Sequence, residues 1–163
     1  MTWMLPAIRE RRALLTARLG DSLSRIAHGL EKDIHDPDKL DTVLSDALPE
    51  LAPARQIYVV NRGGRQLSSS VSSKGHDRSK RGQDLSMRPY LRAASAANML
   101  LSQVYVSRLT GMPCISAVQC IQHGPRTLGY LAADFSLSDL SLQGDAARQP
   151  RAWLQIKGDP AIR

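Results

Sequence analysis

The chain predicts an α+β fold: two N-terminal helices, then a central antiparallel sheet of about five strands with the long first helix packed across its back. Three observations carry this. Apolar residues recur at helical spacing over the first fifty positions, alternation of period two takes over from Gln56, and the last three strand-like runs are separated only by "RLTGMP" and "HGPR", as in an antiparallel meander.

Residues 3–32 read as the first helix. Thr2 is placed to cap it, Pro6 falls in its tolerant early part, and Leu5, Ile8, Leu15, Leu19, Leu23, Ile26 and Leu30 make one apolar stripe. At 1.5 Å per residue this helix is about 45 Å long, more than a domain of this size needs for its core. Part of the stripe is therefore expected to meet a second copy of the chain in a homodimer. "DPDKLDTVLSDALPEL" opens a second helix, with Asp36 as cap, Pro37 at the first position, Leu40, Val43, Leu44 and Ala47 inward, and Pro49 as the stop.

"QIYVVN" is a strand, "RGGRQ" a tight turn, and "LSSSV" the returning strand of a hairpin. Residues 72–85 read as loop. Ser86 and Pro89 then suit the start of a short alanine-rich helix to about Ala97, which puts Arg88 at a loop-to-helix junction. "MLLSQVYVS", "CISAVQCIQ" and "TLGYLAADFSL" are the last three strands. The expected organisation is an N-terminal helix over residues 1–35, one domain over 36–142 and a tail over 143–163. In that tail the apolar pattern of "WLQIKGDPAIR" breaks off as in a truncated chain.

A length of 163 residues with 42% hydrophobic and 23% charged residues suits one domain with a sizeable core. Net charge is +7, but the basic residues are scattered and only 4% of residues are aromatic, which argues against a base-stacking nucleic-acid surface. No apolar run reaches the roughly 18–20 residues of a membrane helix. Arg9, Arg11 and Arg12 stand where a signal peptide needs its apolar region. A cytoplasmic chain is expected on these grounds, or a soluble piece of a longer protein. Cys114 and Cys120 would lie about 20 Å apart along one strand, beyond the roughly 7 Å Cα separation a disulfide allows.

Alternation also sorts the faces of the last strands. Leu131, Ala133, Phe135 and Leu137 make an apolar side, and Tyr130, Ala132, Asp134 and Ser136 the other. In the first of the three, Tyr105 and Ser107 share a side with Leu101 and Gln103. Tyr105, Ser107 and Asp134 thus suit the non-core face. If the 62–97 excursion folds over that face, Arg88 lies at the rim of a pocket with Asp134 at its floor.

The succession "DLSMRPYL", "LSQVYVSRLTGMPCISAVQCI" and "LGYLAADFSLSDL" resembles the Cache sensor domains of bacterial receptors, the PAS-like modules also called PDC domains. The likeness covers roughly residues 57–140 and suggests a single-module version. It implies a PAS-like central sheet, a long N-terminal helix, and ligand binding in signal transduction. In the tandem, amino-acid-binding branch an arginine holds the ligand carboxylate, while acidic and tyrosine side chains hold the ammonium. The matching positions are Arg88, Tyr105 and Asp134, with Tyr90 where an aromatic is usual. Leu91 stands where a second aromatic is common, and Ser107 replaces the aspartate of Tyr-x-Asp. Ammonium recognition would then rest on Asp134 alone. The resemblance so implies a small carboxylate-bearing ligand, an organic acid or amino-acid-like molecule, held by Arg88, Tyr90, Tyr105, Ser107 and Asp134.

Other chemistries find little support. His28, His35, His76 and His123 share no metal-ligand spacing, "NRGGR" lacks a P-loop lysine, and no Ser/His/Asp set can be assembled. A non-enzyme without cofactor or metal is expected. Two alternatives stand beside a sensor: a structural homodimerisation domain without ligand, and a basic nucleic-acid-associated protein.

Overall fold

The computed structural model describes residues 4–88, 99–102, 105–107 and 111–139. Helix α1 spans Met4–Leu30 and α2 spans Pro37–Ala47, joined by a 3-10 turn at Glu31–Asp33. Seven strands follow: β1 Gln56–Asn61, β2 Ser70–Ser72, β3 Gly75–Asp77, β4 Met99–Leu101, β5 Tyr105–Val106, β6 Pro113–His123 and β7 Arg126–Ser136. They form one antiparallel sheet in the order β3-β2-β1-β7-β6-β4, with β5 also on β6. The architecture is the expected α+β one, with two more strands than the sequence suggested.

Both extra strands have a local cause. Residues 72–85 are not a plain loop: β3 returns along β2, and a 3-10 turn follows at Arg78–Lys80, where Asp77 accepts a hydrogen bond from the Ser79 amide. "MLLSQVYVS" is broken in two. Leu101 pairs with Ala117, but Tyr105 pairs with Cys114, so one residue is gained between β4 and β5. A one-residue slip exchanges the faces of a strand. Leu101 thus enters the helix-side core while Tyr105 turns to the opposite face, although they were expected to share one.

The serine run is also displaced. β2 begins at Ser70, and Ser68, Ser69 and Ser70 are buried. Ser68 Oγ accepts from the Val59 amide, taking the place of a ladder bond.

The helical stripe behaves as its spacing dictates. Leu19, Leu23, Ile26 and Leu30 of α1 and Leu40, Leu44 and Ala47 of α2 are buried against Ile57, Val59, Ile115, Leu131 and Phe135 of the sheet. The side chains of Leu5, Ile8 and Leu15 lie outside those described. Asp36 caps α2 by accepting from the Lys39 amide, and Pro37 opens it. Arg25 pairs with Glu50 at 2.6 Å, tying α1 to the turn after α2.

The second face of the sheet is covered too. Tyr58, Val60, Val118, Cys120, Tyr130 and Ala132 form a separate buried cluster, closed in part by Leu85 from the excursion. Cys114 and Cys120 are both free and buried. The alanine-rich helix expected over 89–97 lies outside the described residues.

The tightest passage in the sheet is between β1 and β7, where Gly129 pairs with Asn61. A Cβ at Gly129 would stand 2.4 Å from the Val60 carbonyl oxygen. Gly129→Ala should therefore destabilise the fold by about 1–3 kcal/mol, the range for overpacking a closed site. Urea denaturation measures this, and an unchanged midpoint would contradict it.

Candidate functional site

Asp134 lies in β7, directly between Gln56 of β1 and Ser116 of β6 on one rung of the sheet. Its carboxylate is partly buried and gathers three donors. Gln56 Nε2 donates to Oδ2 at 2.8 Å, Ser116 Oγ to Oδ1 at 2.6 Å, and the Tyr58 hydroxyl to Oδ1 at 3.3 Å. Tyr105 extends the network, its hydroxyl lying 2.6 Å from Ser116 Oγ. Ser116 is itself fixed, because its amide donates to Ser102 Oγ at 2.9 Å. Asp134, Tyr58, Tyr105 and Ser116 thus form one polar constellation on the face opposite the helices.

Burial raises the Asp134 carboxyl above its ordinary pKa. The hydrogen bonds from Gln56 and Ser116, the positive charge of Arg88 and the Tyr58 hydroxyl all oppose this without overcoming it. Burial also raises the Cys114 thiol, with the Asp134 charge adding to the effect.

Arg88 comes to this face on a strap, residues 81–88, laid against the β1–β2 turn. Gly82 and Leu85 donate to the carbonyls of Gln66 and Gly64, each at 2.7 Å, and Gln66 donates to Gln83 at 2.8 Å. Asp84 accepts from the Ser86 amide at 2.9 Å, and the Arg88 amide closes a turn onto Leu85. The strap sits so close that a Cβ on Gly64 would lie 2.5 Å from Ser86 Cα. Asp84 caps this turn through its side chain, and the helix that Ser86 was expected to cap lies outside the described residues.

Of the five residues singled out by sequence, the structure gathers Tyr105 and Asp134 through Ser116, and Arg88 acts on Asp134 through its charge. Ser107 stands at the β5–β6 turn, where its amide donates to Met112 and its carbonyl accepts from Gly111. Tyr90 lies outside the described residues. Sequence reasoning missed Gln56, Tyr58 and Ser116. The alternation of "QIYVVN" and "CISAVQC" carried that signal, since it puts Gln56 and Tyr58 on the side away from Ile57 and Val59, and Ser116 on the side away from Ile115 and Ala117.

A second carboxylate anchors the strap at its other end. Asp41 of α2 is buried and accepts from the Ser69 amide at 2.8 Å, Ser69 Oγ at 2.6 Å and Arg81 Nη2 at 2.6 Å. Burial pushes its carboxyl up, but the bonds from Ser69 and Arg81 together carry it below its ordinary value. Arg81 also reaches Asp38 at 2.9 Å. Among the described residues no group of histidine, cysteine and acidic side chains is arranged to hold a metal ion.

The two carboxylates should respond to pH in opposite senses. Asp41, lowered in the folded state, contributes stability above the unfolded carboxylate value of about 4. That contribution is lost as pH falls through its folded value. Asp134, raised, contributes below about 4 and loses the contribution as pH rises through its folded value. The stability gap between wild type and Asp41→Asn should therefore shrink from pH 7 to pH 3. The gap for Asp134→Asn should grow in wild type's favour over the same interval. Chemical denaturation across that range measures both, and parallel trends would contradict the assignment.

No family model and no curated protein sequence matches the chain. Solved structures do. An extracellular ligand-binding receptor from Desulfohalobium retbaense superposes with a TM-score of 0.67 at 14% identity, over 82% of this chain and 25% of that one. The extracellular domain of vpHK1S-Z8, a protein assigned as a histidine kinase, gives 0.64 at 18% identity, over 83% and 55%. The ligand-binding domain of the Pseudomonas fluorescens chemoreceptor CtaA, in complex with L-isoleucine, gives 0.62 at 18% identity, over 83% and 56%. The chain thus spans about a quarter of the first structure and a little over half of the other two. These matches overturn the expectation of a cytoplasmic chain. Two of the three are extracellular. That expectation had rested on what the sequence lacks. The described residues hold no helix long and apolar enough to cross a membrane, and this says nothing of the compartment. The fold is that of the ligand-binding sensor domains of chemoreceptors and histidine kinases, in keeping with the Cache, or PDC-like, resemblance of the sequence.

Proposed function

We propose that the chain is a sensor module that binds a small carboxylate-bearing molecule, an organic acid or an amino-acid-like one. The ligand lies between the second face of the sheet and the 62–97 excursion, and its presence is passed to a partner or output segment. The observation that carries this reading is the convergence of Arg88 and the Asp134 network on that face. A guanidinium grips a carboxylate with two parallel hydrogen bonds, and the opposite end of the ligand finds hydroxyls and an acid. Residues 62–88 hold seven Lys and Arg against two Asp, so the segment above the site draws anions toward it. The chemoreceptor domains with L-serine and L-isoleucine bound support a small-molecule ligand. The sensor and receptor character of the matched proteins supports a binding role rather than an enzymatic one.

A thermal-shift screen with acetate, pyruvate, succinate and L-amino acids tests the reading, since a ligand that binds only the folded state raises the melting temperature. Arg88→Ala should weaken the binding of whichever compound responds by about 2–4 kcal/mol, and Arg88→Lys should recover only part of it. Wild-type affinity in Arg88→Ala, measured by calorimetry, would overturn the role given to this residue.

The same reading includes a homodimer through α1. Helix α1 begins at Met4, whereas the stripe residues that reach the core are Leu19, Leu23, Ile26 and Leu30, so the helix extends beyond the core that covers it. Sedimentation equilibrium at tens of micromolar should show a dimer, as an association of micromolar affinity requires. A monomer at that concentration would contradict the assembly.

A further inference from the structure

We propose that Asp41 and Arg81 are positioning residues for Arg88, forming a latch that joins helix α2 to the ligand site. The inference rests on the reading of Arg88 as the anion-holding residue and adds the device that places it.

The latch is built at the helix side of the sheet. Both oxygens of Asp41 are engaged, one by the Ser69 amide and the other by Ser69 Oγ and Arg81, and only 4% of its side chain is exposed. Arg81 keeps 25% of its side chain exposed and adds a second carboxylate, Asp38, at 2.9 Å. Solvent screening, which makes most surface ion pairs weak, is thus curtailed on the Asp41 side.

From Arg81 the chain passes to the other face within four residues. Leu85 already belongs to the buried cluster with Tyr58 and Tyr130. The path from latch to site is therefore short. The bonds of Gly82 to Gln66, Gln83 to Gln66 and Leu85 to Gly64 hold the strap on the way, and the Arg88 amide hangs on Leu85. A shift of α2 is therefore delivered to Arg88 along this hydrogen-bonded strap. Linkage makes the coupling reciprocal: whatever tightens Arg88 also tightens the hold on α2.

Amide hydrogen exchange on the full chain, with no ligand added, tests the latch. Arg81→Gln and Asp41→Asn should each speed exchange at Leu85 and Arg88 by about tenfold or more, while β6 and β7 keep their protection, as for a local opening. Arg81→Lys, which retains the charge, should fall between. Wild-type protection of residues 82–88 in Arg81→Gln would overturn the proposal. So would an equal loss of protection across β6 and β7, which would mark both residues as general stabilisers only. Titration with acetate and L-isoleucine then separates the two readings. If wild type binds either probe, the latch variants should bind it about fivefold or more weakly, by the linkage above. Unchanged affinity would also overturn the latch. If wild type binds no small carboxylate, the anion-holding role of Arg88 fails, and exchange alone still decides whether Asp41 and Arg81 hold the strap.

Discussion

Strand β7 has no solvated face, and the rest of the molecule follows from the need to cover it twice. Leu131, Ala133 and Phe135 are buried beneath the two helices, and Tyr130 and Ala132 are buried on the reverse. Helices α1 and α2 supply one cover through a stripe that their sequence writes plainly. On the other face the chain, running through residues 62–88, contributes Leu85 to the cover. The long excursion thus has a packing reason.

A polar residue in a doubly covered strand must be hydrogen-bonded. Asp134 meets this with Gln56, Tyr58 and Ser116, all neutral donors. Asp41 meets the same demand with a serine and an arginine that bonds it directly. Burial prevails at the first carboxylate and hydrogen bonding at the second. Asp41, bonded directly by a charged partner, suits a fixed anchor.

The strap makes these two carboxylates parts of one arrangement. It begins at Asp41 on the helix side, runs along the β1–β2 turn, and ends with Arg88 near Asp134. Gly64 is what allows it to lie so close, because any side chain there would collide with the Ser86 backbone and its φ of +93° would strain an L-residue.

Much of the fold was legible in the sequence because periodicity reports a buried face locally. The spacing of Leu19, Leu23, Ile26 and Leu30, the Asp36-Pro37 cap, and the apolar sides of β1 and β7 needed no distant information. Arg88, Tyr105 and Asp134 drew notice through residue type and a family resemblance. Tertiary structure alone decided what meets what. Gln56 and Asp134 are 78 positions apart, and no local pattern pairs them. The slip between β4 and β5, which gives Tyr105 its face, depends on which β6 residues are opposite, and the strand's own alternation concealed it. The β2–β3 hairpin escaped notice because its exposed edge strand has no buried face to write a pattern. Periodicity records that a surface is buried, whereas the identity of the covering surface is a property of the folded chain.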